Sequence, residues 1–113
     1  MKIEAYKFGS IVIDGQTYDK DLVILPDQIL TNWWRKEGHK LFLEDMTFLK
    51  NCNPKILIIG CGYFGIMKIS QEVRDFCSQN GINLIAKKSS EAVETFNELE
   101  GQPDIIAGFH LTC

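Results

Sequence analysis

Three short apolar runs, Ile56 to Ile59, Ile82 to Ala86 and Ile105 to His110, alternate with two stretches of helical spacing, Ser70 to Asn80 and Ser90 to Glu100. Strand-length runs alternating with amphipathic helices are the pattern of a sheet with helices packed on it. Val73, Phe76 and Cys77 share one face of the first helix, and Ala92, Phe96 and Leu99 share one face of the second, because positions three and four apart stack on the same side. Both helices run into a glycine, Gly81 and Gly101, where a left-handed C-cap needs a residue without a β-carbon.

The amino-terminal third reads as β structure. Lys7 to Ile13 and Gln16 to Tyr18 flank Asp14-Gly15, a pair that tolerates positive φ at both central positions of a tight hairpin. Leu22 to Leu25 is a short buried strand ended by Pro26-Asp27. A helix is expected from about Glu44 to Lys50, with Met46 and Leu49 on one face, closed by Asn53-Pro54. The segment Trp33 to His39 is not assigned to an element by its pattern.

At 113 residues the chain forms one domain, 1–113, with no repeat or linker to divide it. A formal charge of −3 supplies no positive field for nucleic acid or an anionic membrane surface. No apolar run approaches the roughly 20 residues of a membrane span, and the first residues have neither signal-peptide nor transit-peptide character, so a cytoplasmic location is expected. Cys52, Cys61, Cys77 and Cys113 contain no C-x-x-C pair and are expected as free thiols. The two histidines, His39 and His110, are not at ligand spacing from a cysteine, so no metal is expected.

Gly60-Cys61-Gly62-Tyr63-Phe64-Gly65 follows the run Ile56 to Ile59 and has the spacing of a dinucleotide-binding fingerprint. That chemistry also needs a helix opening directly from the glycines and an acidic residue about 20 positions on. Here the helix start is deferred to Ser70, and the second strand ends in Ala86-Lys87-Lys88. No cofactor is therefore expected. Two readings of the loop stay open: a backbone cradle for a small anionic ligand, with Gly60, Cys61, Gly62, Gly65, Lys87, Lys88 and Ser89 around it, or a tight exit from a buried strand. Cys61 has only His39 or His110 as a base and no identifiable third group, so no catalytic residue is assigned.

Trp33, Trp34, Arg35, Lys36 and His39 form the densest aromatic and basic cluster of the chain. If the segment is extended, the two indoles point to opposite sides and one is a contact residue. Trp33, Trp34, Arg35 and His39 are the candidate interface, with a homodimer or another protein as the partner.

Several weak motifs occur in one order along the whole chain: Phe8-Gly9-Ser10-Ile11 with Tyr18, Asp21 to Ile24, Trp34-Arg35, Gly38-His39, Ile59 to Gly62, Ser89-x-x-Ala92, Phe96-Asn97 and His110 to Cys113. The set resembles the small uncharacterised domain family of the adipogenesis-associated domain protein and mitochondrial complex I assembly factor three. The resemblance implies an α/β fold of three layers: a central mixed sheet, helices on one face, and a small β layer plus helix on the other. It implies no established catalysis. The chain departs from that pattern at Cys61, where Thr or Ser is expected, at Ser89 for Thr, at Phe96 for Tyr, and at Pro103-Asp104 for basic residues. The functional expectation is a non-catalytic binding or assembly module. The alternative is a small-ligand, nucleotide or oxidoreductase-like protein using the Gly60 to Gly65 loop.

Overall fold

The computed structural model describes the backbone of residues 1–113 and every side chain but that of Asn51. The chain first lays down an antiparallel meander, β1 (Ile3–Lys7), β2 (Ser10–Ile13) and β3 (Gln16–Tyr18), then enters a second sheet through β4 (Leu22–Ile24) and β5 (Ile29–Leu30). The short β6 (Lys40–Leu41) and two 3-10 turns, Leu43–Asp45 and Thr47–Asn51, lead to β7 (Ile56–Cys61). β8 (Lys68–Ile69) pairs with β6; α1 (Gln71–Gln79), β9 (Asn83–Lys87), α2 (Ser89–Glu98) and β10 (Ile105–His110) complete the chain.

The main sheet has the order β5-β4-β10-β7-β9. β9, β7 and β10 run parallel, and β4 joins β10 antiparallel, so the sheet is mixed. Side chains alternate across it. Leu57, Ile59 and Cys61 of β7 face a core closed by α1 and the 3-10 turns, with Val73, Cys77, Met46 and Leu49 buried there. Ile58 of β7 faces the opposite core with Ala107 and Phe109 of β10. Ala92 and Phe96 of α2, together with Ile3, Ile11 and Ile13 of the meander, cover that side. The result is the three-layer arrangement that the resemblance implies: helix and 3-10 turns on one face, a β layer plus helix on the other.

Local signals held at the turns. Asp14 (φ 49) and Gly15 (φ 81) make the hairpin between β2 and β3, and Gly81 (φ 67) and Gly101 (φ 91) end the two helices in the left-handed region. The expected helix from Glu44 to Lys50 is instead two 3-10 turns interrupted at Met46, whose φ −121, ψ 48 is not helical. Asp45 is the cause. Its buried carboxylate accepts the amide hydrogens of Lys36 and Phe42, each at 2.9 Å, and its carbonyl accepts the Trp33 indole N–H at 2.8 Å. Those bonds tie the turn down to a distant segment and leave no room for a continuous helix.

Candidate functional site

The parallel strands β7, β9 and β10 deliver their carboxyl ends to one edge of the sheet, and most of the sequence candidates gather there. Ser89 is the hub. Its buried Oγ donates to the His110 carbonyl at 2.6 Å and accepts from the Gly62 amide at 2.9 Å, while its own amide donates to the Gly62 carbonyl. One hydroxyl thus holds the start of α2, the loop after β7 and the end of β10 together.

That packing accounts for the glycines. A β-carbon on Gly60 would stand 2.8 Å from both Phe109 and the Ser89 Oγ, and one on Gly62 (φ +104) would stand 2.5 Å from the backbone of Thr112 and Cys113. Most of the loop amides are likewise engaged within the chain. Tyr63 donates to the Thr112 carbonyl, Gly65 to that of Gly62, Ile66 to that of Cys113 and Met67 to that of Cys61. Lys88 lies alongside Gly65, and the Lys87 ammonium bonds the Thr95 hydroxyl at 3.3 Å.

Across β10 from this loop sits a charged group that the sequence did not reveal as a unit. Asp21, just before β4, accepts the Leu111 amide on Oδ1 at 2.8 Å and lies 2.7 Å from His110 Nδ1 through Oδ2. Arg35 Nη1 stands 2.8 Å from the same Oδ2, close enough for an ion pair but off the line of a hydrogen bond, and Nη2 is 3.0 Å from His110 Nδ1. The guanidinium also covers the Trp33 ring at 5.0 Å. Burial alone would raise the Asp21 carboxyl; the His110 ring, the Leu111 amide and Arg35 outweigh it and hold it below the ordinary carboxylate range. Asp21, Arg35 and His110 each stood in a separate motif of the sequence, Asp21 to Ile24, Trp34-Arg35 and His110 to Cys113, with nothing to join them.

His110 Nε2 is buried and, among the described residues, has no hydrogen-bond partner. Cys61 is its neighbour in the strand register, yet the thiol contacts the Ile59 carbonyl at 3.8 Å instead. Burial pushes the Cys61 thiol up, against the weaker pull of Arg74 and Lys68. Asp21 does supply His110 with an orienting carboxylate, but thiol and imidazole form no bonded pair. Among the described residues no three of His, Cys, Asp and Glu gather as metal ligands.

The segment Trp33 to His39 is neither helix nor strand and turns at Gly38-His39, and its two indoles part. Trp33 turns inward, edge-on to Phe48 with ring centroids 6.2 Å apart, whereas Trp34 is 77% exposed. Arg35 is turned inward in the Asp21 group, with its side chain 5% exposed, and His39 is exposed. A second exposed group went unmarked in the sequence. Tyr63 packs against Phe8 at 5.8 Å, Phe64 at 5.0 Å and Tyr6 at 6.5 Å, and Phe8, Tyr63, Phe64 and Ile66 all rank as exposed apolar side chains. The signal was present: two aromatics between glycines, in a loop too tight to bury them.

Residues 3–110 match the family described as protein of unknown function (DUF498/DUF598). A conserved hypothetical protein from Pyrococcus horikoshii is 30% identical, with all of both chains covered and a TM-score of 0.85. A protein from Bartonella henselae described as an outer membrane protein shares the fold at 20% identity and TM-score 0.80, over 98% of this chain and 94% of that one. So does an Mth938-like domain protein from Bordetella pertussis, at 17% identity and TM-score 0.69, over 97% and 85%.

Proposed function

The chain belongs to the DUF498/DUF598 family of proteins of unknown function, and from that premise we propose that it is a non-catalytic binding or assembly module of the cytoplasm. Within the family we read it as similar to the adipogenesis-associated domain protein and complex I assembly factor three. Its contacts are made by exposed aromatic side chains, with another protein or a second copy of the chain as partner.

The observation that carries this reading is the cluster of Phe8, Tyr63 and Phe64, exposed and in contact at the carboxyl edge of the sheet, with the exposed Ile66 two residues on. Contiguous exposed aromatics mark interaction sites, because they bring large apolar area at small entropic cost. The backbone beneath them is fixed by bonds to Thr112 and Cys113, so the rings are held ready for contact. Lys7, the last residue of β1, directly precedes Phe8 and Lys88 flanks Gly65, both exposed, which favours a partner segment with an apolar anchor beside acidic residues. Trp34 and His39 offer a second contact. The loop as a cradle for a small ligand draws less support, because the amides of Gly62, Tyr63 and Gly65 are engaged within the chain.

The test is a photo-crosslinking residue placed at position 64, beside a control at the exposed position 94. The reading expects one discrete adduct from position 64 that Phe8→Ala removes in a folded protein. Adducts no different from the control overturn it.

A further inference from the structure

Strand β9 is an outer strand of the main sheet, with β7 on one side and, among the described residues, no strand on the other. Its residues are exposed or half-buried, in contrast to Leu57 through Cys61 of β7, which are all buried. The Asn83 amide donates to the Lys55 carbonyl at 2.8 Å, so Asn83, Ile85 and Lys87 turn their backbone groups toward β7. Leu84 and Ala86 therefore turn theirs outward. Among the described residues neither has a hydrogen bond beyond the ladder. An open strand edge of this kind is a template for another strand.

We propose that a second copy of this chain pairs along β9, antiparallel, about a twofold axis passing between the two Ile85 residues. The two main sheets then continue into one. This goes beyond the reading above, because the self-contact is placed on the β9 edge and leaves the aromatic cluster to another protein; the two stand or fall separately.

The strand's alternation limits the register to pairings that set outward groups opposite outward groups, and an axis at Ile85, the middle residue of β9, pairs the strand over its whole length. A twofold axis perpendicular to a sheet makes paired edge strands antiparallel and the contact self-complementary. With Ile85 opposite Ile85, Leu84 of each copy faces Ala86 of the other, and the two exchange both N–H and C=O groups as a hydrogen-bonded pair. A slip of one residue would set outward groups against inward ones, and the bonds would be lost. Lys87 faces Asn83, so no lysine opposes a lysine across the axis. The half-buried side chains of Ile85 and Val93 on the α2 side, and of Leu84 and Ala86 on the α1 side, gain cover in the process.

The test combines sedimentation equilibrium with amide hydrogen exchange on the intact chain. At high micromolar concentration the mass should double, and the Leu84 and Ala86 amides should exchange about tenfold slower or more than in dilute protein, while that of Ile85 is protected at both concentrations. Ala86→Pro removes an outward amide that an edge strand can spare, and it should give a folded monomer. Trp34→Ala and Phe64→Ala should remain dimeric. A monomer at high concentration overturns the proposal, as do Leu84 and Ala86 amides that exchange freely in a dimer. A dimer dissolved by Trp34→Ala and untouched by Ala86→Pro overturns it while preserving self-association.

Discussion

His110 Nδ1 lies 2.7 Å from Asp21 Oδ2, joining the end of the central strand to the residue that opens its antiparallel neighbour. The pair is largely buried, and Arg35 closes it from the α1 side of the sheet. Asp21 is held ionised in the fold more firmly than in the unfolded chain. A carboxyl whose folded pKa is depressed contributes stability that is present above its unfolded value, about pH 4, and lost as pH falls through the folded value. Urea midpoints should therefore drop steeply below about pH 4 in the parent. Asp21→Asn should cost about 2 kcal/mol at neutral pH and flatten that acid limb, which a pH series of urea melts checks.

Gly62→Ala should be among the most damaging of small substitutions. The added methyl meets backbone at 2.5 Å, and φ +104 is a region that residues with a β-carbon avoid. A loss of about 3 kcal/mol or more is expected. Gly38→Ala, where nothing lies within 4 Å, is the matched control and should leave the melting temperature within about a degree.

Trp33 and Trp34 should separate cleanly in thermal melts. Trp33→Ala removes an indole that packs on Phe48, reaches over Gly108 and bonds the Asp45 carbonyl, and should cost about 3 kcal/mol. Trp34→Ala should cost less than about 0.5 kcal/mol.

The thiols should react in order of their burial. Cys61 and Cys77 are buried and their pKa values are raised by it, while Cys52 and Cys113 are half-buried. With an aromatic disulfide reagent at neutral pH, Cys52 and Cys113 should be modified first, and Cys61 and Cys77 only as denaturant is added. Mass spectrometry of the labelled peptides reads this directly.

The strand and helix succession from Ile56 onward was legible because each element carries its own period and its own stop, as Gly81 and Gly101 do at the helix ends. The hairpin at Asp14-Gly15 was legible for the same local reason. The 3-10 turns around Met46 were not, since the Asp45 carboxylate caps its own turn at Phe42 and at the same time answers to Lys36, nine residues back. In the candidate site, the glycine loop was visible as a motif but its purpose was not, because the atoms that require Gly60 and Gly62 lie in Ser89, Phe109, Thr112 and Cys113. The Asp21, Arg35 and His110 group spans most of the chain length, and no spacing rule brings such residues together.

β10 follows every other strand in chain order and yet stands between β4 and β7 in the sheet. During synthesis the meander, β4, β7, β9 and both helices leave the ribosome before the strand that joins them exists. Until then β4 and β7 each present a bare edge, and both cores lack the Ile106 and Phe109 side chains that fill them. Long-range strand pairing that must wait in this way is slow and exposes apolar surface. The nascent chain is thus most in need of protection by chaperones over the interval between the emergence of β7 and that of His110.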